Sequence, residues 1–284
     1  MGPGDFIQSD TAPRRTGGAK LRVAQIDGAS SVTNAWATDP MKLLTPRARG
    51  KSVWVYTSSL GGGMVAGDAT HLNVEIDTEA CCFLSTQAST KIYRNSAGFP
   101  CTHRTEANLG ADALLVFAPD PVQMFAQSTY GQRQIFRLDP RANLVLLDWM
   151  SSGRAARGER WAFDKYFSRN ELIRGGKRVF VDALLLDPAD GVLTERFRGG
   201  RIDCYATVVM VGPALAEQAG KIFDACNRQP LMPRAPLVFA ASPLPEGVLL
   251  RIGGTTVAEV AFWIYRQLRF VCDLLHDDPW ARKW

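Results

Sequence analysis

The sequence lacks the features that direct a chain into or across a membrane. No apolar run approaches the roughly 18 residues that a membrane span requires. Residues 1–20 are polar and rich in glycine and proline, without the apolar segment of a secretion signal. We therefore expect residues 1–20 to be a disordered lead-in, residues 21–284 to form a single domain, and the protein to be cytoplasmic and bound to no membrane.

Cysteine spacings typical of metal-binding or redox motifs are also missing. The six cysteines include no C-x-x-C spacing, and without a secretion signal a disulfide framework is not expected. The closest pair of metal-binding side chains is Cys101 and His103, and no third ligand is evident near them. The other histidines, His71 and His276, are distant in sequence. The sequence therefore predicts no tightly bound metal or cofactor.

The chain has a glycine-rich loop but no nucleotide-binding motif. Gly61, Gly62, Gly63 and Gly67 are followed directly by Asp68, whereas a Walker loop requires a lysine after its last glycine. A dinucleotide fingerprint requires a helix at that point, and here an alternating strand pattern follows. We interpret the loop as a turn between two strands, with glycines that pack closely on neighbouring backbone.

Clustered positive charge is absent as well. The net charge is +5, but the basic residues are scattered, and the densest group is Arg154, Arg157 and Arg160. A nucleic-acid surface would show a basic stripe with stacking aromatic residues. We expect no nucleic-acid binding, and a mildly basic surface suits an acidic protein partner instead.

Helical patterns are scarce before about residue 193. Over most of this part of the chain, apolar and polar residues alternate with period two. Short turns separate the strands, which argues against βαβ units. We found no fixed sequence repeat. The expected fold is a mainly β, elongated multi-stranded body, sandwich-like or solenoid-like. The strand candidates are 21–26, 52–56, 71–76, 81–86, 113–117, 134–138, 142–148, 161–166, 171–173 and 177–186.

Two α-helices are predicted in the C-terminal third. The first covers residues 213–226, with apolar side chains at helical spacing and a proline in the first turn. The second opens at a capping box from Thr256 to Glu259 and ends before Pro279. Strands are predicted on either side of the first helix and before the second. We therefore expect both helices to pack on the β body.

Three carboxylates are the candidate functional groups. Asp68, Asp148 and Glu159 could act as general acids or bases, or as hard oxygen ligands for a cation. No serine or histidine lies in an evident catalytic triad. An internal salt-bridge cluster with Arg154 or Arg157 is the alternative, and the residue pattern leaves these interpretations open.

Eight motifs stand in order along the chain, namely Lys42–Pro46, Gly61–Asp68, Thr86–Arg94, Pro119–Val122, Leu147–Trp149, Ser152–Arg154, Ala156–Glu159 and Trp161. Together they resemble the urease accessory protein family UreD, called UreH in some organisms. The likeness is strong over residues 41–187 and extends weakly to Pro279 and Trp280. Within these motifs, the positions to which we assign structural roles are Gly61, Gly62, Gly63, Gly67, Thr86, Gln87, Lys91, Asp120, Trp149, Gly153, Arg154 and Arg157.

The resemblance implies a non-enzymatic chaperone for nickel insertion into urease. Members of the family bind apo-urease on one side and the accessory protein UreF on the other, and UreF holds the GTPase UreG. Nickel is expected to pass transiently through an internal route. On this hypothesis Asp68, Asp148 and Glu159 line the route, and the C-terminal helices with their flanking surface bind UreF.

Two other functions remain open from the sequence. The first is a cytosolic β-rich enzyme that uses Asp68, Asp148 and Glu159 on a small substrate. The second is a carbohydrate- or protein-binding β module. An enzyme should turn over alone, a chaperone should be inert yet co-purify with its partners, and a binding module should not affect urease activation.

Overall fold

Strands make up most of the computed structural model, which describes residues 15–281 apart from residues 48, 96, 231 and 233. The mainly β fold class is confirmed. No helix in the described part of the chain is long and apolar enough to span a membrane. The strands are β1 (Arg15–Ile26), β2 (Ala29–Ala37), β3 (Met41–Leu44), β4 (Val53–Ser59), β5 (Gly63–Met64), β6 (Asp68–Ile76), β7 (Cys81–Thr86), β8 (Lys91–Ile92), β9 (Cys101–Leu109), β10 (Leu114–Phe117), β11 (Val122–Met124), β12 (Thr129–Leu138), β13 (Asn143–Ser151), β14 (Gly153–Arg154), β15 (Glu159–Arg160), β16 (Lys165–Arg174), β17 (Lys177–Leu186), β18 (Cys204–Val211), β19 (Leu237–Leu244) and β20 (Gly247–Gly254).

The chain alternates between two large sheets, as in a solenoid. Sheet A has the strand order β17-β16-β12-β9-β6-β1-β2, and sheet B has the order β19-β20-β18-β13-β10-β7-β4-β3. The short strands β5, β8 and β11 join sheet B at a corner. Within each sheet the central strands pair in parallel, because the chain passes through the other sheet between one strand and its neighbour. Antiparallel strands close the sheets on both sides.

The strand register explains why no sequence repeat is visible. Along sheet B, Val53 pairs with Cys82, Cys82 with Leu115, and Leu115 with Leu144. The second interval is four residues longer than the first and the third, since the connecting loops differ in length. A coiled architecture is therefore present without a constant period.

Two hydrophobic cores lie on the two faces of sheet B. The inner core fills the space between the sheets, where Val74 and Phe136 of sheet A and Leu146 of sheet B are fully buried. The outer core includes Trp54 and Phe83 and is covered by the helices. The expectation that the helices pack on the β body is thus met.

Among the residues that the structure describes there are three α-helices rather than two. Helix α1 (Ala216–Asn227) follows a single 3-10 turn that begins at Pro213. The second predicted helix is broken into α2 (Val257–Gln267) and α3 (Val271–Leu275). Neither proline nor glycine stands at the break. The chain turns there so that Leu268, Val271 and Leu275, all fully buried, reach the outer core.

Several strand predictions also differ from the structure. Strand β1 begins at Arg15, before the expected domain boundary at residue 20, whereas residues 1–14 lie outside the described part. The candidates 161–166 and 171–173 are replaced by one strand, β16. Strands β2, β9 and β18 were not predicted. In β9 the inward positions include polar side chains, so the alternation of apolar residues is interrupted.

Candidate functional site

Polar side chains occupy one end of the space between the sheets. On sheet A, residues that pair across the parallel strands form rows of side chains that point into the interior. Two neighbouring rows carry hydroxyl, amide and imidazole groups, and the rows after them carry apolar groups. The first row is Thr70, His103, Gln132 and Ser168, and the second includes Thr105, Gln134 and Asn170. Parallel pairing thus converts single polar residues, far apart in sequence, into one polar surface.

A cavity of about 170 Å³ lies against this surface. Polar groups of both sheets line its inner part, and its mouth lies among the loops that follow β4, β7 and β10. Gly62, Gln87 and Ala88 at the mouth are exposed to solvent. The inner polar residues are Thr70, His103, Gln132, Gln134 and Asp148, and those near the mouth include Ser58, Gly62, Thr86, Gln87 and Asp120. A polar cavity of this size has room for water.

Asp148 is the carboxylate at the inner part of the cavity. Its Oδ1 accepts a hydrogen bond from Gln132 Nε2 at 2.6 Å, and its Oδ2 accepts from Ser168 Oγ at 2.6 Å and Asn170 Nδ2 at 2.7 Å. Burial raises the pKa of Asp148, and the three hydrogen bonds act in the opposite direction. These three partners are neutral, so they orient the carboxylate without neutralising its charge.

His103 stands beside Asp148's partners in the same polar surface. Its Nδ1 lies 2.7 Å from Thr70 Oγ1, and its Nε2 lies 3.0 Å from Thr105 Oγ1. Burial, followed by the proximity of His71, lowers the pKa of His103 to about 4. The imidazole is therefore neutral near pH 7, and a neutral imidazole keeps one lone pair that can accept a hydrogen bond or contact a metal ion.

Side-chain contacts hold the mouth of the cavity in shape. Thr86 Oγ1 donates to Asp120 Oδ2 at 3.1 Å and accepts from the Asp120 backbone N–H at 2.7 Å. Ser58 Oγ donates to Gln87 Oε1 at 2.8 Å. Trp149 Nε1 donates to the carbonyl oxygen of Pro119 at 2.7 Å. Thr86, Gln87, Asp120 and Trp149 all line the cavity.

The glycine loop forms part of the wall near this mouth. Gly61 and Gly62 have φ angles of 79° and 71°, a conformation that other residues adopt only with strain. A Cβ atom on Gly63 would lie 2.5 Å from the carbonyl oxygen of Lys91 in the paired strand β8. The loop is thus a turn with close backbone packing, as the sequence indicated.

Asp68 lies apart from the residues that line the cavity. Its carboxylate is 1% exposed and accepts two hydrogen bonds from Arg15, at 2.9 and 2.7 Å. The backbone N–H of Val65 donates a third, at 3.0 Å. Asp68 therefore joins the start of β1 to the end of the glycine loop.

Glu159 lies in the β14–β15 hairpin, also away from the cavity lining. Its carboxylate accepts hydrogen bonds from Arg154, one of them at 2.8 Å, and from the backbone N–H of Ala126 at 3.2 Å. The bond from Arg154 is the main cause that lowers the pKa of Glu159. Gly153 and Arg157 belong to the same hairpin region. The structure thus separates the three carboxylates, and only Asp148 lines the cavity.

The cavity has no preformed metal site in the described residues. No group of three or more histidine, cysteine, aspartate or glutamate side chains is suitably placed there to hold an ion. Burial raises the pKa of the Cys101 thiol to about 12, and its Sγ donates to the carbonyl oxygen of Val65. A protonated thiol is a poor ligand. The oxygen atoms and the one imidazole of the cavity are suited to transient contacts with a borderline cation.

Comparison with known proteins decides the family. The family model described as UreD urease accessory protein matches residues 15–284. The chain belongs to the UreD family. It is 45% identical to the urease accessory protein UreD of Sorangium cellulosum, over 95% of this chain and 85% of the relative. A UreD of Anaeromyxobacter is 40% identical over 94% and 90% of the two chains, and the urease accessory protein D of Oryza sativa subsp. japonica is 30% identical over 92% and 93%.

The structure also groups the UreD motifs in a way that the sequence did not show. Motif residues near positions 62, 86, 120 and 149 all reach the same cavity. Sequence reasoning missed the inner residues His103, Gln132 and Gln134.

Proposed function

We propose that this UreD-family chain is a nickel-insertion chaperone of urease and has no enzymatic activity of its own. It acts in the cytoplasm, where it holds apo-urease and UreF, with UreG bound through UreF. Nickel moves toward the urease active site through the polar cavity between the sheets. The metal ion is cargo, so the chain needs no tightly bound cofactor.

One observation carries the routing part of this proposal, namely the polar cavity inside an otherwise hydrophobic β body. Buried polar groups are costly unless they are hydrogen-bonded, and packing of apolar residues would be the more stable alternative. The rows of polar side chains on β6, β9, β12 and β16 maintain such a surface across four strands. Passage of a nickel ion through the cavity would explain why the interior is polar there.

The charges of the cavity suit a mobile divalent cation. Asp148 is partly buried, and its hydrogen-bond donors are neutral, so a cation in the cavity gains an electrostatic attraction that bulk water would weaken. The side chains of Gln132 and His103 offer weak further contacts. Because the described residues offer no cage of three or more ligands, a bound ion can leave again.

Asp68 and Glu159 are the other two carboxylates that we predicted for the route. Each is held in an ion pair, with Arg15 and Arg154 respectively. A direct role on the route requires these pairs to open in the assembled complex. Asp148 is therefore our first candidate.

Co-purification tests the scaffold part of the proposal. Tagged wild-type chain is mixed with apo-urease and with UreF, separately and together, and the bound proteins are quantified. We expect stoichiometric capture of both partners and no hydrolytic activity of the chain alone. Capture of neither partner would contradict the proposal, and turnover of a small substrate that Asp148→Asn abolishes would favour an enzyme instead.

A further inference from the structure

Strand β17 forms an edge of sheet A. It pairs with β16 on one side and has no strand partner on the other in the part of the chain that the structure describes. An open edge presents backbone N–H and C=O groups that can pair with another strand. Proteins usually block such edges with short strands, prolines, charges or covering elements.

The other sheet edges of the described chain are blocked in these ways. Strand β3 has only four residues, and β19 contains Pro243. Strand β2 packs against β3 and β4. By contrast, β17 has ten residues without proline. It is thus the edge that is most open to an added strand.

The side chains of β17 are unusually apolar for an exposed edge. Val179, Val181 and Leu185 lie on its solvent-facing side and are 41%, 41% and 42% exposed. They alternate along the strand, and the basic residues Lys177 and Arg178 stand only at its start. An exposed apolar edge of this length is expected to associate with another chain.

A second cavity lies directly beside this edge. Its volume is about 470 Å³, and it lies between β17 and the facing strands β18 and β20. Most of its walls are aromatic or aliphatic, formed by Trp161, Leu184, Leu186, Leu193, Tyr205 and Ile252. In strand-addition complexes, backbone hydrogen bonds supply affinity, and pockets for alternate side chains supply specificity. The edge of β17 can supply the backbone hydrogen bonds, and the cavity can supply the pocket for a side chain.

We propose that β17 binds an extended segment of a partner protein as an added strand, with one apolar side chain of that segment in the cavity. The segment carries a carboxylate near its end, because basic side chains outnumber acidic ones on β17 and in the cavity wall. Asp182 is the acidic one and pairs with Arg251, and the other basic ones are Lys177, Arg178 and Arg198. Arg178 is 62% exposed and lies 3.9 Å from its nearest carboxylate. Arg198 beside the cavity donates to backbone carbonyl groups. This inference is independent of nickel routing and of the identity of the partner.

Peptide selection tests the proposal without knowledge of the partner. A random 12-residue library displayed on phage is selected on the purified full-length chain. We expect enriched peptides with alternating apolar residues and a terminal carboxylate. Synthetic versions should bind at least tenfold more weakly to the double variant Val181→Glu, Leu185→Glu. The control Trp36→Glu, at an exposed site on β2, should bind as the wild type does.

Hydrogen exchange provides a measurement that does not depend on the variants. Amides of residues 177–186 in the wild-type chain should exchange more slowly once the peptide is bound. The proposal is overturned by an absence of common peptide features, by equal binding to the double variant, or by protection elsewhere. Binding that appears only after deletion of residues 1–14 would show that the chain's own N-terminus occupies the edge. A wild-type dimer that the double variant dissociates would show a second copy there, and either result also overturns it.

Discussion

Asn170 on sheet A donates a hydrogen bond to Asp148 on sheet B at 2.7 Å, across the interior of the body. The bond joins two strands, β16 and β13, that belong to different sheets. It therefore fixes the distance between the sheets at the inner part of the cavity. The carboxylate of Asp148 thus contributes both to the stability of the fold and to the polarity of the cavity.

This link predicts a pH dependence of stability. Because burial raises the pKa of Asp148, the folded chain retains that proton to a higher pH than the unfolded chain, in which an aspartate has a pKa of about 3.9. The contribution of this group to the free energy of unfolding is fully present below the unfolded-state pKa. It is lost as the pH rises through the folded-state pKa. Asp148→Asn should therefore gain stability relative to the wild type as the pH rises above about pH 4. Urea unfolding across this range measures the difference, and a pH-independent difference would contradict the account.

The ion pair of Arg15 should contribute far more to stability than that of Arg22. Arg15→Ala leaves the buried Asp68 carboxylate without its cation, which typically costs about 3–5 kcal/mol for a buried pair. Because Arg15 itself is 39% exposed, we expect the lower part of that range. Arg22→Ala removes an exposed pair with Asp77 and should cost at most about 1 kcal/mol. Equal free energies of unfolding for the two variants would argue against a structural role of Asp68.

Alanine substitution should have opposite effects at two glycines. Gly63→Ala would place a Cβ atom 2.5 Å from the Lys91 carbonyl oxygen, and such overpacking typically costs about 1–3 kcal/mol. Gly220 lies in helix α1, and a Cβ atom added there would meet no other atom within 4 Å. Gly220→Ala should therefore stabilise the chain by up to about 1 kcal/mol. Thermal unfolding of both variants measures this, and stabilisation by Gly63→Ala would contradict the close approach of β5 to β8.

His103 should remain neutral throughout the physiological range. Its pKa is lowered to about 4, whereas an unperturbed histidine titrates near pH 6.5. The ring proton resonances of His103, assigned with the variant His103→Gln, should not shift between pH 7.5 and 5.5. The same histidines in urea serve as the control and should titrate normally. A midpoint near pH 6.5 in the folded chain would show that the ring is solvated.

The sequence predicted those parts of the fold that apolar periodicity determines. Strands β7 and β17 match their predicted bounds because most of their residues are apolar or β-branched. Strand β9 was missed because its inward residues include His103 and Thr105, which interrupt that pattern. The split between α2 and α3 was missed too, since it depends on contacts of Leu268 and Val271 with the sheet and not on a local stop signal.

The candidate site could be predicted only in part. Asp148 was chosen as a carboxylate at the end of an apolar run, and the structure places it in the cavity. Its partners Gln132, Ser168 and Asn170 come from strands whose register is set by loop lengths, which one sequence does not reveal. Asp68 was chosen as the acidic residue after the glycine loop, and its partner Arg15 became evident only from the folded chain. Glu159 was chosen beside Arg154 and Arg157, and the structure pairs it with Arg154, as the salt-bridge alternative stated.

The most direct test of the central claim is the nickel content of urease after activation with variants of the cavity. Ala88→Trp narrows the mouth at an exposed position, and Ala189→Trp places the same side chain on a distant exposed turn as the control. Complexes with apo-urease, UreF and UreG are first shown to form equally, and urease-bound nickel is then measured. We predict a loss of most of the nickel with Ala88→Trp and with Asp148→Asn, and none with Ala189→Trp. Full nickel content with both cavity variants, in intact complexes, would contradict routing through this cavity.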